Sequence, residues 1–186
     1  MVQSYLACVN YVDTQIGLFL EVLKQNPRGR ETVIVLTSDH GWHLGEKGHW
    51  SKAALWRNAT RVPYIVILPG VTKAGTINNQ PISHVDLYPS LCDFAGIVKP
   101  KHLEGRSILP LLKDSKSKRD VAFISYGPEN TVAQSERYRY IRYEDGSEEL
   151  YDHRKDPHEW TNLSKNPEFA AIKEKMKGAV IDFQNK

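Results

Sequence analysis

The chain has 186 residues, 40% of them apolar and 25% charged, with a formal net charge of +3. That length suits one domain with a small appendage, and the composition excludes disordered, collagen-like and fibrous chains while leaving enough apolar material for a sizeable core. Positive charge is spread along the chain except for a basic cluster at Lys113–Arg119, which reads as a solvated linker, so nothing calls for a nucleic-acid partner.

From Ser4 to Leu23, the apolar residues Leu6, Val9, Val12, Ile16, Phe19, Leu20 and Leu23 recur at three- and four-residue steps, which predicts an amphipathic helix broken at Asn26-Pro27. Thr32–Thr37 follows as a continuous β-branched run, the pattern of a strand buried on both faces of a parallel sheet. Helix followed by buried strand indicates an α/β fold. The next segment, Ser38–Ser51, is polar, punctuated by glycine and rich in histidine and tryptophan, and is too long for a simple connection. Lys52–Thr60 is predicted as a short helix capped by Ser51, Val62–Leu68 as a second strand ending at Pro69-Gly70, and Asp86–Ala95 as a helix ending at Gly96.

Around Asp114 the composition shifts, dividing the chain into 1–114 and 115–186. Val121–Tyr126, Thr131–Gln134, Tyr138–Tyr143 and Glu148–Tyr151 predict an antiparallel meander of half-exposed strands with a hairpin turn at Glu144-Asp145-Gly146. Pro167–Phe183 closes the chain as a helix. Cys8 and Cys92 lie far apart, offering neither a disulfide framework nor a paired-cysteine zinc site, and both read as small buried hydrophobes. No uninterrupted apolar run approaches the roughly 18 residues of a membrane span, and the N-terminal residues lack the pattern of a secretion signal. No transmembrane helix is expected.

The chemistry concentrates in Thr37–Lys52. Ligands of open α/β sheets bind beyond the carboxyl ends of strands, which is where Asp39 and His40 fall. Gly41 permits a sharp turn, so the two consecutive side chains can face one ion. An oxygen and a nitrogen donor suit several divalent metals without choosing among them, and the pair is equally compatible with a turn cap and surface hydrogen bonds. Lys52 can return across the loop to bring an ammonium to a bound oxyanion, a combination that suggests hydrolysis of an anionic ester. His-Glu-x-x-His, P-loop, Gly-x-Gly-x-x-Gly and Gly-x-Ser-x-Gly motifs are absent.

Thr37-Ser-Asp-His-Gly-Trp-His-Leu-Gly-Glu46, His49-Trp-Ser-Lys52, Ala59-Thr-Arg-Val-Pro-Tyr-Ile-Val66 and Val85-Asp-Leu-Tyr-Pro-Ser-Leu91 occur in an order that resembles the sulfatases of the alkaline-phosphatase superfamily. The iduronate-2-sulfatase-like and choline-sulfatase-like branches are the most similar. Leu103–Leu109, Arg137–Arg142, Glu149–Asp152 and Asp156-Pro157 extend the resemblance over nearly the whole chain. It implies the C-terminal part of an alkaline-phosphatase-like sulfatase α/β fold over 1–114, followed by a small antiparallel sheet with a final helix over 115–186. It further implies that Asp39 and His40 are ligands of a calcium ion, that Lys52 contacts the substrate sulfate, and that His49 is a pocket residue. The expected substrate is a sulfated carbohydrate or another small sulfate ester, with choline sulfate a weaker match, and periplasmic or secreted localisation follows from the family.

One departure is prominent. The Cys/Ser-x-Pro-Ser-Arg motif that becomes the formylglycine nucleophile is absent, since Cys8 precedes Val-Asn-Tyr and Cys92 precedes Asp-Phe-Ala. The missing N-terminal sulfatase region is therefore an expected partner of this chain. A phosphoester or phosphonate hydrolase of the same superfamily and a noncatalytic fragment are the alternatives.

Overall fold

A computed structural model describes residues 1–185. The 24-residue helix α1, Val2–Gln25, leads to strand β1, Ile34–Thr37. The short strands β2, His43–Leu44, and β3, Trp50–Ser51, form a hairpin, followed by the helical turn α2, Arg57–Thr60, and strand β4, Tyr64–Ile67. Helix α3, Leu87–Ala95, and the short α4, Leu109–Lys113, precede the strands β5, Ala122–Tyr126, β6, Asn130–Gln134, β7, Tyr138–Arg142, and β8, Glu148–Asp152. Helix α5, Ala170–Gln184, closes the chain.

The pairing of the first sheet differs from expectation. β1 runs antiparallel to β4, with Ile34 opposite Ile67 and Thr37 opposite Tyr64, and its residues are half-buried. An apolar run records that a strand prefers an interior, not the direction of its partner. Here the covering layer is open: no residue of α1 is buried, and Leu6, Val9, Val12 and Phe19 of its apolar stripe are exposed. Cys8, expected inside, is exposed on this helix, whereas Cys92 is buried. Read by an 18-residue window instead of by uninterrupted runs, α1 is long and apolar enough to cross a membrane by length and composition, with a mean hydropathy of 1.3 over that window.

The later boundaries follow local chemistry. Pro89 sits in the first turn of α3, where its missing N–H costs no hydrogen bond, and Gly96 ends the helix in the left-handed region at φ 66°. Asp86, buried just before that helix, accepts hydrogen bonds from the N–H groups of Ser83 and Arg106 and pairs with the guanidinium of Arg119. Arg119 thus departs from the expected solvated linker: its side chain is buried against Asp86 and donates to the carbonyls of Arg106 and Ser107. The predicted helix over 52–60 contracts to Arg57–Thr60, because Ser51 takes φ 87° and cannot serve as a helical cap.

β5–β8 form the expected meander, but with both faces covered. Ala133, Tyr140 and Leu150, opposite one another in the ladders, pack on Met176 and Val180 of α5. Val132, Ile141 and Tyr151 turn the other way onto Leu55 and Trp56. Tyr138–Tyr143 is therefore not a half-exposed strand, since Arg139, Tyr140 and Ile141 are all buried. The segment bearing the sequence motifs is built against this second face.

α5 is fastened to the meander through Glu148. Its carboxylate accepts from Tyr140 Oη at 2.6 Å and lies 3.2 Å and 3.0 Å from the ammonium groups of Lys173 and Lys177. Burial alone would push this carboxyl up, but the Tyr140, Lys177 and Lys173 hydrogen bonds outweigh it and hold it at about 2 against the usual 4.5. Stabilisation by ionised Glu148 is thus complete above about pH 4.5 and disappears as pH falls towards 2. Thermal unfolding followed from pH 7 to pH 3 is expected to show a falling midpoint in the acid limb, and Glu148→Gln is expected to flatten that limb while lowering the midpoint at neutral pH.

Candidate functional site

β1 delivers Ser38, Asp39 and His40 just beyond its carboxyl end. The chain can turn there because Gly41 packs directly on α2: its N–H donates to the Ala59 carbonyl at 2.8 Å, and a Cβ on it would fall 1.9 Å from the Asn58 carbonyl oxygen. His40 Nδ1 donates to the Gly41 carbonyl at 2.8 Å, which leaves Nε2 free and 3.3 Å from Asp39 Oδ2. Two consecutive side chains thus converge, with the Asp39 side chain 81% exposed. The slight burial of Asp39 would raise its carboxyl, but backbone N–H groups, His40 and the Lys52 ammonium outweigh that and lower it.

This donor pair fits a divalent cation in chemistry and spacing, as one imidazole nitrogen and one ionised oxygen on a shared side. It supplies only two of the six to eight ligands that calcium takes, and among the described residues no group of three or more such side chains gathers around an ion position.

Lys52 is exposed and near enough to Asp39 to act on its charge. His49 lies elsewhere: its ring packs edge-on against His43 at 5.1 Å and Trp56 at 6.0 Å, with Nε2 buried and without a hydrogen-bond partner. His43 is itself buried, and burial followed by the neighbouring His49 lowers its pKa, so it is neutral at pH 7. The four predicted site residues thus divide: Asp39, His40 and Lys52 face solvent around one loop, and His49 belongs to the aromatic interior beneath it.

That interior is held by residues the sequence reading passed over. Lys47, in the left-handed region at φ 56°, donates from Nζ to the Glu159 carbonyl at 2.5 Å and to Tyr151 Oη at 3.0 Å, and sits 4.7 Å from the ring centroids of Trp56 and Tyr151. The carboxylate of Glu159 is buried at 1% exposure; it accepts from His153 Nε2 at 2.7 Å and from the Arg57 N–H at 2.8 Å, with Arg139 Nε 3.0 Å away. Arg139 in turn donates to the Leu55 carbonyl and to Thr60 Oγ1, each at 2.8 Å. Glu149 accepts from Trp56 Nε1 at 2.8 Å and Tyr151 Oη at 2.7 Å. Lys52 therefore stands between two fixed points, Lys47 and Leu55–Arg57, both pinned to the meander. His84 was also missed: its Nε2 lies 3.3 Å from Thr37 Oγ1 at the end of β1, brought there by the turn His84–Asp86 before α3.

Residues 1–97 match a protein-family model described as Sulfatase. A sulfatase of Formosa agariphila is 39% identical over 178 residues, covering 95% of this chain and 35% of that protein. A Δ4,5-hexuronate-2-O-sulfatase of Bacteroides thetaiotaomicron is 31% identical, covering 92% of this chain and 38% of that protein. A solved structure in complex with its substrate, D-glucosamine-2-N,6-O-disulfate, superposes with a TM-score of 0.87 at 30% identity, over 97% of this chain and 40% of that one. The chain spans between about a third and two fifths of the length of these proteins.

The Gly41 contact yields a test. Gly41→Ala forces the Asp39–His40 turn away from Asn58, and overpacking of this kind costs about 1–3 kcal/mol. Gly17, with nothing within 4 Å of an added Cβ on exposed α1, gains helix propensity on changing to alanine. Denaturant midpoints are expected to fall for Gly41→Ala and to hold or rise for Gly17→Ala.

Proposed function

The chain belongs to the sulfatase family, and on that premise we propose that it forms the C-terminal part of a sulfuric ester hydrolase acting on sulfated sugars, of the iduronate-2-sulfatase-like kind. The observation that carries this reading is the Asp39–His40 pair, whose donor atoms stand 3.3 Å apart just beyond β1 on the segment that leads to the exposed Lys52. The hexuronate and glucosamine substrates named for two of the relatives point to sugars as the substrate class.

In this reading Asp39 and His40 would hold a calcium ion. A divalent cation there would offset and polarise the negative charge of the sulfate oxygens. Asp39 stays ionised at neutral pH, and the Nδ1–H bond to Gly41 fixes the His40 ring with Nε2 outward. Lys52 places its ammonium on a sulfate oxygen, offsetting charge as the sulfur–oxygen ester bond breaks. His49 acts through position: wedged against His43 and Trp56, it sets the height of the Lys52 segment. The nucleophile comes from outside these residues, since Cys8 lies on α1, Cys92 is buried in α3, and neither belongs to the site. No step is assigned to either cysteine. The remaining part of the catalytic domain covers the apolar stripe of α1 and the open side of β1.

With the polypeptide carrying the nucleophile, the assembled protein is expected to release sulfate from a 2-O-sulfated hexuronate. Lys52→Ala is expected to lower kcat by about a hundredfold or more, the scale for removing one donor from a developing anion. Preference for a phosphonate monoester over the sulfated sugar would establish the phosphonate hydrolase instead, and a folded assembly inert towards both would leave a noncatalytic module.

A further inference from the structure

Arg57 and Arg61 lie four residues apart at α2, on the same side of the turn, and Pro157–His158 rises opposite them. Together with Asn58 they border an open cleft of about 430 Å3 that no carboxylate lines. The nearest acids are occupied elsewhere. Glu159 spends its carboxylate on His153, Arg139 and the Arg57 N–H, and Asp156 accepts from the Thr161 N–H at 2.7 Å. The Arg57 guanidinium donates to the Pro157 carbonyl at 3.0 Å, and among the described residues neither it nor Arg61 has a carboxylate within ion-pair distance. Two guanidinium groups bordering one concavity whose lining holds no carboxylate make an environment that favours an anion.

The cleft adjoins the candidate site through backbone. Gly41 bonds to the Ala59 carbonyl at 2.8 Å, and a Cβ there would lie 3.1 Å from the Arg61 carbonyl oxygen. The same turn that carries the arginines therefore backs the Asp39–His40 pair. It is also held in place before any ligand arrives, because Glu159 grips the Arg57 N–H and Arg139 grips the Leu55 carbonyl and Thr60 Oγ1. Such preorganisation reduces the ordering cost of binding.

We propose that the Arg57–Arg61–His158 cleft is a second anion subsite, taking a further acidic substituent, sulfate or carboxylate, of the same saccharide whose scissile sulfate lies at Lys52. This rests on the sulfatase reading and narrows its substrate class to sugars or short oligosaccharides carrying at least two acidic groups. The Arg61 side chain is exposed, so it is the one to alter.

The test is an NMR titration of the chain with inorganic sulfate, glucosamine 6-sulfate, D-glucosamine-2-N,6-O-disulfate and glucuronate. The proposal expects sulfate to shift the amides of Asn58, Arg61 and His158, and expects the disulfate to bind about fivefold tighter than the monosulfate, the scale of one exposed charge pair. Arg61→Gln should remove most of that advantage while weakening the monosulfate less, with His158→Gln acting in the same direction and Arg30→Gln as the net-charge control. Shifts with glucuronate at the same amides would identify a subsite that also takes carboxylates; shifts with sulfate alone would restrict it to sulfate. The proposal is overturned if Arg61→Gln weakens both glucosamines equally or neither, or if those amides do not move. Failure of the sulfatase reading has a different signature, in which Lys52→Ala leaves every affinity unchanged while the Arg61-dependent shifts persist.

Discussion

The buried carboxylate of Glu159 joins the motif-bearing segment to the C-terminal sheet. It sits at φ 61°, 1% exposed, and its neighbours come from three places: Arg139 on the meander, His153 just after it, and the Arg57 N–H from the motif-bearing segment. A buried charge without partners would be expelled or neutralised, so the groups around it are mutually required. Lys47 binds the backbone carbonyl of the same residue and lies between the rings of Trp56 and Tyr151. Both flanks of Lys52 are thus tied to this one residue. The meander is in this sense a platform for the site, although it contributes none of the residues that face solvent there.

The contrast with the N-terminal part is physical. The C-terminal sheet is closed on one side by α5 and on the other by Leu55 and Trp56, giving two tight apolar clusters. α1 and the two-stranded sheet of β1 and β4 present apolar surface with no cover among the described residues. The chain spans 35% of the length of a sulfatase relative that it matches over 95% of its own residues. The segment that follows β1 is thus tied to the meander on one side and open on the other.

Much of this was legible because it is local. The apolar spacing of α1, the Gly96 stop of α3, the Gly146 hairpin and the order of the motifs each depend on residues within a few positions of one another. The candidate ligands Asp39 and His40 and the basic Lys52 were visible for the same reason, as polar residues after a β-branched run. What escaped the sequence depends on distant partners. Glu159 meets Arg57 across 102 residues and Lys47 across 112, and Arg119 meets Asp86 across 33. No short pattern separates such a buried charge from a solvated one. The direction of β4 against β1 and the inward turn of His49 were hidden likewise, since periodicity reports burial preference and not the identity of the neighbour.

Native-state hydrogen exchange of Glu159→Gln beside the unaltered chain tests the platform role directly. Amides of residues 47–60 are expected to lose protection together, while those of Val132, Ile141 and Leu150 in the meander core keep theirs. Unchanged protection over 47–60, with loss confined to the immediate surroundings of residue 159, would contradict the account.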